Sequence, residues 1–284
     1  MDSGRPIQFG YFVLPDSMRP LRPLELAVRA EELGIDLIGA QDHPYQRRFY
    51  DTWTLLTAIA LRTTRVSVFP DVANLPLRPP AMLAKAAASL DLLSGGRVEL
   101  GLGAGGFWEA IKAMGGPVRT PGEAVSALEE AIEVIRLVWS GGRGVRFEGK
   151  FYQLAGLNAG PVPAHPIGVW LGAYKPRMLR LVGSAADGWV PSYGYLKSEA
   201  MREANARVDD AAREAGRDPA AIRRVLNVAA NLAADEMAEL TLEHGFDTFV
   251  IGETQENVEA ELREFLENIA PNVRELVAKG RESL

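Results

Sequence analysis

Short apolar runs alternate with longer amphipathic ones along this chain, and the alternation repeats. Residues 7–13 read as a strand. Residues 23–33 read as the helix after it, with Leu24, Ala27, Val28, Ala30 and Leu33 on one apolar stripe and Gly34 as the stop. Strands recur at residues 36–41, 66–72, 98–103, 167–171, 188–191, 224–231 and 248–251. Helical patterns follow them at 52–61, 80–93, 123–139, 176–186, 198–215, 236–243 and 256–269. Strand–helix units in series predict a parallel sheet. Eight of them is the number that closes a barrel. The expected fold is therefore α/β, a single (β/α)8 TIM barrel over residues 1–284, with an open doubly wound sheet as the alternative. Two connections are longer than usual, near residues 105–122 and 141–166, and read as insertions at the C-terminal face of the barrel. Within the second, residues 145–154 suggest a hairpin turning at Glu148 and Gly149.

Composition narrows the function. Of 284 residues, 47% are hydrophobic and 24% charged, enough apolar chain for a large core. A net charge of −6 argues against nucleic-acid and anionic-membrane partners. Cysteine is absent, which excludes disulfides, thiolate catalysis and cysteine-based metal sites. Residues 1–6 are polar and no apolar run is long enough for a membrane span. The expectation is a cytoplasmic protein, a homodimer, acting on a small molecule.

In a barrel, chemistry belongs at the C-terminal ends of the strands. The second strand ends in Gln41-Asp42-His43-Pro44, a carboxylate beside an imidazole. His43 is suited to exchange a proton or to hydrogen-bond a polar heterocycle, the plainer alternative being a histidine that fixes a loop. His165, before Pro166, reads as structural. His244, at a helix end beside Gly245, reads as a cation placed on the helix dipole. The fourth strand runs into Gly101-Leu102-Gly103-Ala104-Gly105-Gly106, which matches the dinucleotide fingerprint. Three strand–helix units come first and no full helix follows, so a Rossmann site is rejected. Glycines there still let backbone approach a planar ligand. The fifth strand ends in Gly172-Ala173-Tyr174-Lys175, then Pro176-Arg177 and a helix. Helix-start amides with Lys175 and Arg177 suit a phosphate, or are ordinary helix-start chemistry. A metal-dependent hydrolase is disfavoured, because the first strand has no His-x-His and only three histidines exist. A glycosidase would have to use Asp42, Asp71 and Glu253, which nothing else supports.

Several segments taken together resemble the bacterial luciferase-like family of flavin- and deazaflavin-dependent oxidoreductases. They are Ala-Gln-Asp-His-Pro at 40–44, Asp-Val-Ala-Asn-Leu-Pro-Leu-Arg-Pro-Pro at 71–80 and Leu-Asp-Leu-Leu-Ser-Gly-Gly-Arg at 90–97 with the glycine run after it. His-Pro-Ile-Gly-Val-Trp-Leu-Gly-Ala at 165–173 and Ala-Ala-Asp-Gly-Trp at 185–189 complete them. The resemblance implies a ring cofactor at the strand ends and a phosphate on residues 172–177. It implies a non-proline cis peptide at Asp71–Val72, with Asp71 and Asn74 turned to the ring edge. Cofactor-binding residues would be Asp71, Val72, Asn74, Gly103, Ala104, Gly105, Gly172, Ala173, Tyr174, Lys175 and Arg177. Catalytic residues would be His43 and Asp42. Asp42-His43 followed by Arg47, Arg48 and Tyr50 looks most like the coenzyme F420 branch, especially its methylenetetrahydromethanopterin reductase. Arg47 and Arg48 would attract the acidic tail of the deazaflavin. The implied function is hydride transfer between the deazaflavin C5 and a small organic substrate, with an FMN-dependent monooxygenase as the alternative. Arg78, Trp108 and Tyr193 are candidates to line the substrate pocket. One departure stands out. The branch's sugar-phosphate dehydrogenase carries a glutamate after the glycine run, where this chain has Gly105-Gly106 and only Glu109 nearby. Glucose 6-phosphate is therefore not the expected substrate.

Overall fold

The computed structural model describes residues 2–196, 198–252 and 257–283. In it β1 (Gln8–Val13), β2 (Leu37–Ala40), β3 (Ser67–Pro70), β4 (Ala73–Asn74), β5 (Leu100–Gly103), β8 (Val169–Leu171), β9 (Gly188–Trp189), β10 (Arg223–Ala229) and β11 (Thr248–Gly252) form one parallel sheet. Between β5 and β8 the chain forms a small antiparallel hairpin, β6 (Val145–Glu148) and β7 (Gln153–Leu157). The strand order is β3-β2-β1-β11-β10-β9-β8-β5-β4, and a bridge from Val68 to Val98 draws the two ends together. β3 and β4 occupy one position in the barrel, so the nine strands fill eight places. The third strand, expected to run unbroken over 66–72, pairs with β2 up to Pro70. It resumes at Ala73 on β5.

The helices lie outside the sheet, and their ends follow local chemistry. α1 (Arg22–Leu33) has a proline in its first turn and stops at Gly34, whose φ of 106° is left-handed. The Asp51 carboxylate caps α2 (Thr52–Arg62) by accepting from the Thr54 amide. α3 (Pro80–Ser94) follows, then the short α4 (Trp108–Ala113). α5 (Pro121–Trp139) opens with a capping box of Thr120 and Glu123, so it begins earlier than the apolar pattern alone suggested. α6 (Pro176–Ala185), α7 (Ser198–Glu214) and α8 (Ala234–His244) complete the next units. The last helix is longer than the predicted 256–269, of which Glu256 lies outside the described residues. α9 (Val258–Glu264) continues through a π-helical turn at Phe265–Ile269 into α10 (Ala270–Glu282). Pro271 explains the discontinuity, because its missing N–H removes one rung of the ladder.

Side chains alternate strictly along the strands. Phe9, Ile38, Val68, Leu100, Leu171 and Phe249 point outward and join the helices in the main apolar core. Leu37, Phe69, Trp170, Val225 and Val250 point inward and fill the barrel. The barrel is therefore packed, and only its ends are open to ligands.

The two insertions part company. Residues 105–122 follow β5 and stand at the C-terminal mouth. Residues 141–166 follow a helix instead, and lie along the flank. The Glu130 carboxylate of α5 accepts from the amides of Lys150, Phe151 and Tyr152. The returning chain reaches Asp91 near the end of α3, which accepts from the Ala164 and His165 amides. His165 Nδ1 lies 2.8 Å from the same carboxylate, which confirms its structural role. Among the described residues no helix is long and apolar enough to cross a membrane.

Candidate active site

At the C-terminal mouth the inward residues leave a cleft of about 500 Å³. Phe12, Val190 and Val250 form its apolar bed, directly above the filled barrel. Gln41, His43, Asp71, Tyr174, Ser192, Tyr195 and Asn227 supply polar groups around it.

The break in the third strand shapes one wall. The Asp71–Val72 peptide is cis, as the resemblance implied. The Val72 side chain then sits over β5, where a Cβ on Gly103 would lie 2.9 Å from Val72 Cγ2 and one on Gly101 would strike the Pro70 carbonyl. Glycine in this run thus makes room for the broken strand before it makes room for any ligand. Gly105 has a φ of 96°, and a side chain there would also press on Pro76. Ala104 is half-buried beside it.

Asp71 and Asn227 come from β-strand positions on opposite sides of the barrel. Asn227 Nδ2 donates to Asp71 Oδ1 at 3.3 Å, so the pair spans the barrel axis. Asp71 is 8% exposed and Asn74 7%. Asp71 Oδ2, Asn74 Oδ1 and Asn227 Oδ1 are buried and have no hydrogen-bond partner in the protein. Burial raises the Asp71 carboxyl to about 7, against a smaller downward pull from the Asn227 amide. Asn74 is not among the residues that line the cleft, whereas Asp71 and Asn227 are, and the open oxygens of those two call for a polar ligand edge.

Asp42 takes a different place from its neighbour. It is fully buried, lies off the cleft, and holds Arg78 through Nε at 2.6 Å and Nη2 at 2.7 Å. Its Oδ2 also accepts from the Asn74 amide at 2.9 Å. Arg78 Nη2 reaches on to Asp51 at the start of α2. Asp42 and Arg78 therefore fix the strand beyond the break, and Arg78 does not line the cleft.

His43 does face the cleft. Its ring stacks on Tyr45 at 5.2 Å and meets the edge of exposed Phe107 at 5.6 Å. Burial pushes its pKa below the usual histidine value, with the Asp42 charge pulling the other way. Burial also pushes Tyr45 up to about 12. His244, expected as a helix-end cation, is buried and shifted down by that burial, so the neutral ring is favoured over a dipole-stabilised cation.

On the far side, Gly172 and Tyr174 line the cleft, Ala173 is buried, and the Trp189 indole donates to its carbonyl. Tyr174 Oη accepts from the Ser192 amide and its ring meets Tyr195 edge-on. Lys175 is the N-cap of α6 and makes no side-chain cap. Arg177 turns away to α5, donating to the Gly122 carbonyl, Ser126 and Glu129. Arg47, Arg48 and Glu109 are exposed. Trp108 is half-buried beside Gly105, and Tyr193 hydrogen-bonds Glu236. Asn227 escaped the sequence reading. The signal was a lone amide in an apolar strand, at a position whose alternation points inward.

The family model for luciferase-like monooxygenases matches residues 7–282. An F420-dependent glucose-6-phosphate dehydrogenase of Amycolatopsis mediterranei (strain U-32) is 33% identical over 194 residues, covering 66% of this chain and 58% of that protein. The enzyme of the same name in Gordonia bronchialis is 31% identical over 257 residues, covering 84% and 72%. The chain thus spans under two thirds of the first relative's length. Among solved structures, an F420-dependent secondary alcohol dehydrogenase in complex with an F420-acetone adduct superimposes with a TM-score of 0.84. It is 20% identical, with 95% of this chain and 99% of that one covered, a likeness that establishes the barrel.

Proposed function

The chain belongs to the luciferase-like monooxygenase family, and we propose that it is a coenzyme F420-dependent oxidoreductase moving hydride to or from a small organic substrate. The observation that carries this reading is the pair of unpartnered oxygens at Asp71 and Asn227, both residues lining the cleft beside its apolar bed. A planar heterocycle with donors and acceptors along one edge fits both surfaces. The F420-dependent relatives favour a deazaflavin over FMN.

When bound, the cofactor supplies hydride at its C5. Asp71 and Asn227 would hold the ring edge, and Val72 would press on its face from the broken strand. The amides at Ala173–Lys175, at the start of α6, would take a phosphate, helped by Lys175. His43 would stand over the bound groups as a neutral imidazole, orienting the substrate or relaying a proton. The aromatic cluster of His43, Tyr45 and Phe107 would exclude water from that side.

A sugar phosphate is a poor fit. Among the described residues no lysine or arginine lines the cleft, and Glu109 is exposed on α4. A neutral carbonyl, alcohol or alkene of modest size suits the space. Leu61, Met82, Leu92 and Leu93 are exposed on neighbouring helices α2 and α3, with Met82 and Leu93 on one face of α3. A second copy of the chain covering this stripe would make the expected homodimer.

Titration of the purified protein with F420 and, separately, with FMN tests the cofactor. Tight binding of F420 with hydride turnover supports the reading. Binding of FMN alone, with reduced FMN and oxygen giving an oxygenated product, replaces it with the monooxygenase.

A further inference from the structure

We propose that Asp71 is an acid–base residue of this cleft, standing as the neutral carboxylic acid and exchanging its Oδ2 proton with the group seated above it. The proposal rests on the cofactor reading for the identity of that group, and on geometry for the acid.

The carboxyl is placed at the barrel axis by the strand break. Its Oδ1 has one weak neutral partner, Asn227, and its Oδ2 has none. Among the described residues no lysine, arginine or histidine forms an ion pair with it. Arg78, the arginine that follows the strand break in sequence, is committed to Asp42 and Asp51. A buried carboxylate without a cation or several donors is far costlier than the acid, so the proton stays. The raised pKa, about 7, agrees with that geometry and also leaves the proton exchangeable near neutrality. The other titratable groups facing the cleft are His43 from the loop after β2, Tyr174 after β8 and Tyr195 after β9. Burial holds His43 neutral and keeps Tyr174 protonated, so neither brings a charge that would ionise Asp71.

The proton step balances by itself. The Oδ2–H bond of Asp71 breaks as an N–H or O–H bond forms on the acceptor, and the carboxylate left behind recovers a proton from water. In the reverse direction the same carboxylate accepts the proton. No oxidant or reductant enters this step. Asp71 would thus differ from His43 in where it stands: it addresses the ligand from the strand break, His43 from the loop after β2.

Two measurements on Asp71→Asn and the unaltered protein test the idea, and the first needs no cofactor. The infrared difference between the two ligand-free proteins should show a protonated carboxyl that titrates near pH 7. Ionisation in the ordinary carboxylate range, about pH 4, overturns the proposal. The second is F420 affinity, followed by fluorescence from about pH 5.5 to about pH 8.5, a window spanning the raised value. The ratio of the two dissociation constants cancels the ligand's own titration. It should change by about tenfold across that window, because Asn keeps a donor and never ionises. A constant ratio overturns the proposal. Failure of the unaltered protein to bind either F420 or FMN overturns the cofactor reading, which the ligand-free titration leaves distinguishable.

Discussion

Arg78 grips both oxygens of Asp42, at 2.6 and 2.7 Å, from the far side of the strand break. The pair ties the loop after β2 to the segment that carries Asn74, and Asp51 extends it to the cap of α2. Asp42 has no solvent exposure, so its charge depends on this partner. Arg78→Met leaves that charge buried and unpaired, and should lower unfolding stability by about 3–5 kcal/mol in denaturant titrations. Adding Asp42→Leu to it should recover a large part of the loss, because the unpaired charge then disappears. Equal stability of the single and double variants would show that the ion pair does not hold the break.

Gly103 tests the wall built by Val72. A Cβ at Gly103 lies too close to Val72 Cγ2, and Val72 must shift. Gly103→Ala should cost about 1–3 kcal/mol by overpacking. It should also weaken cofactor binding, because Val72 faces the cleft. Gly106→Ala is the control, since a Cβ there meets open space. Fluorescence titration of both variants separates the two. Equal affinity in both would remove Val72 from the cofactor site.

The barrel was legible because strands such as Val169–Leu171 and the stretch 249–251 are apolar on both faces, and the strand-like runs alternate with helical stripes. The strand break was legible only through resemblance, because Pro70 and Asp71 mark a strand end as readily as a break within one strand position. Asp42 and His43 are adjacent in sequence, and adjacency suggests one task. Just past the end of β2 the two diverge and do different work: Asp42 fixes backbone and His43 meets the cleft. Arg177 illustrates the limit of reading charges locally. Its partners on α5 lie about 50 residues earlier in the chain, too distant in sequence to suggest the contact.

Lys175 and Arg177 should therefore separate. Lys175→Ala removes a cation from the open start of α6 and should weaken cofactor binding by about 0.5–1 kcal/mol, with a shallower salt dependence. Arg177→Ala should leave affinity nearly unchanged, because its guanidinium already serves Gly122, Ser126 and Glu129. It should instead loosen the contact between α5 and α6. Isothermal titration at two ionic strengths reads the first effect and thermal unfolding the second. Equal losses of affinity in both variants would mean that Arg177 leaves α5 to reach the phosphate.

His43 carries the pH prediction. Burial depresses its pKa and the Asp42 charge only partly restores it, so the ring is neutral at pH 7. The folded protein thus holds the imidazole proton less tightly than the unfolded chain, whose value is about 6.5. Stability from this group is present above that value and is lost as pH falls through it toward the lower folded pKa. Turnover should follow the same sense. Acidification protonates the ring, removes it as a proton acceptor, and places a cation against Tyr45 and Phe107 in the cleft. The unaltered enzyme should show an acidic limb in kcat/KM below about pH 6.5. His43→Gln keeps polar contacts and does not titrate in this range, so its profile should lose that limb. Its kcat should fall by about 100-fold if His43 relays a proton, with cofactor affinity changed little. His43→Ala should lose as much turnover, together with the ring that packs between Tyr45 and Phe107. An acidic limb that persists in His43→Gln at the same pH would assign the titration to another group.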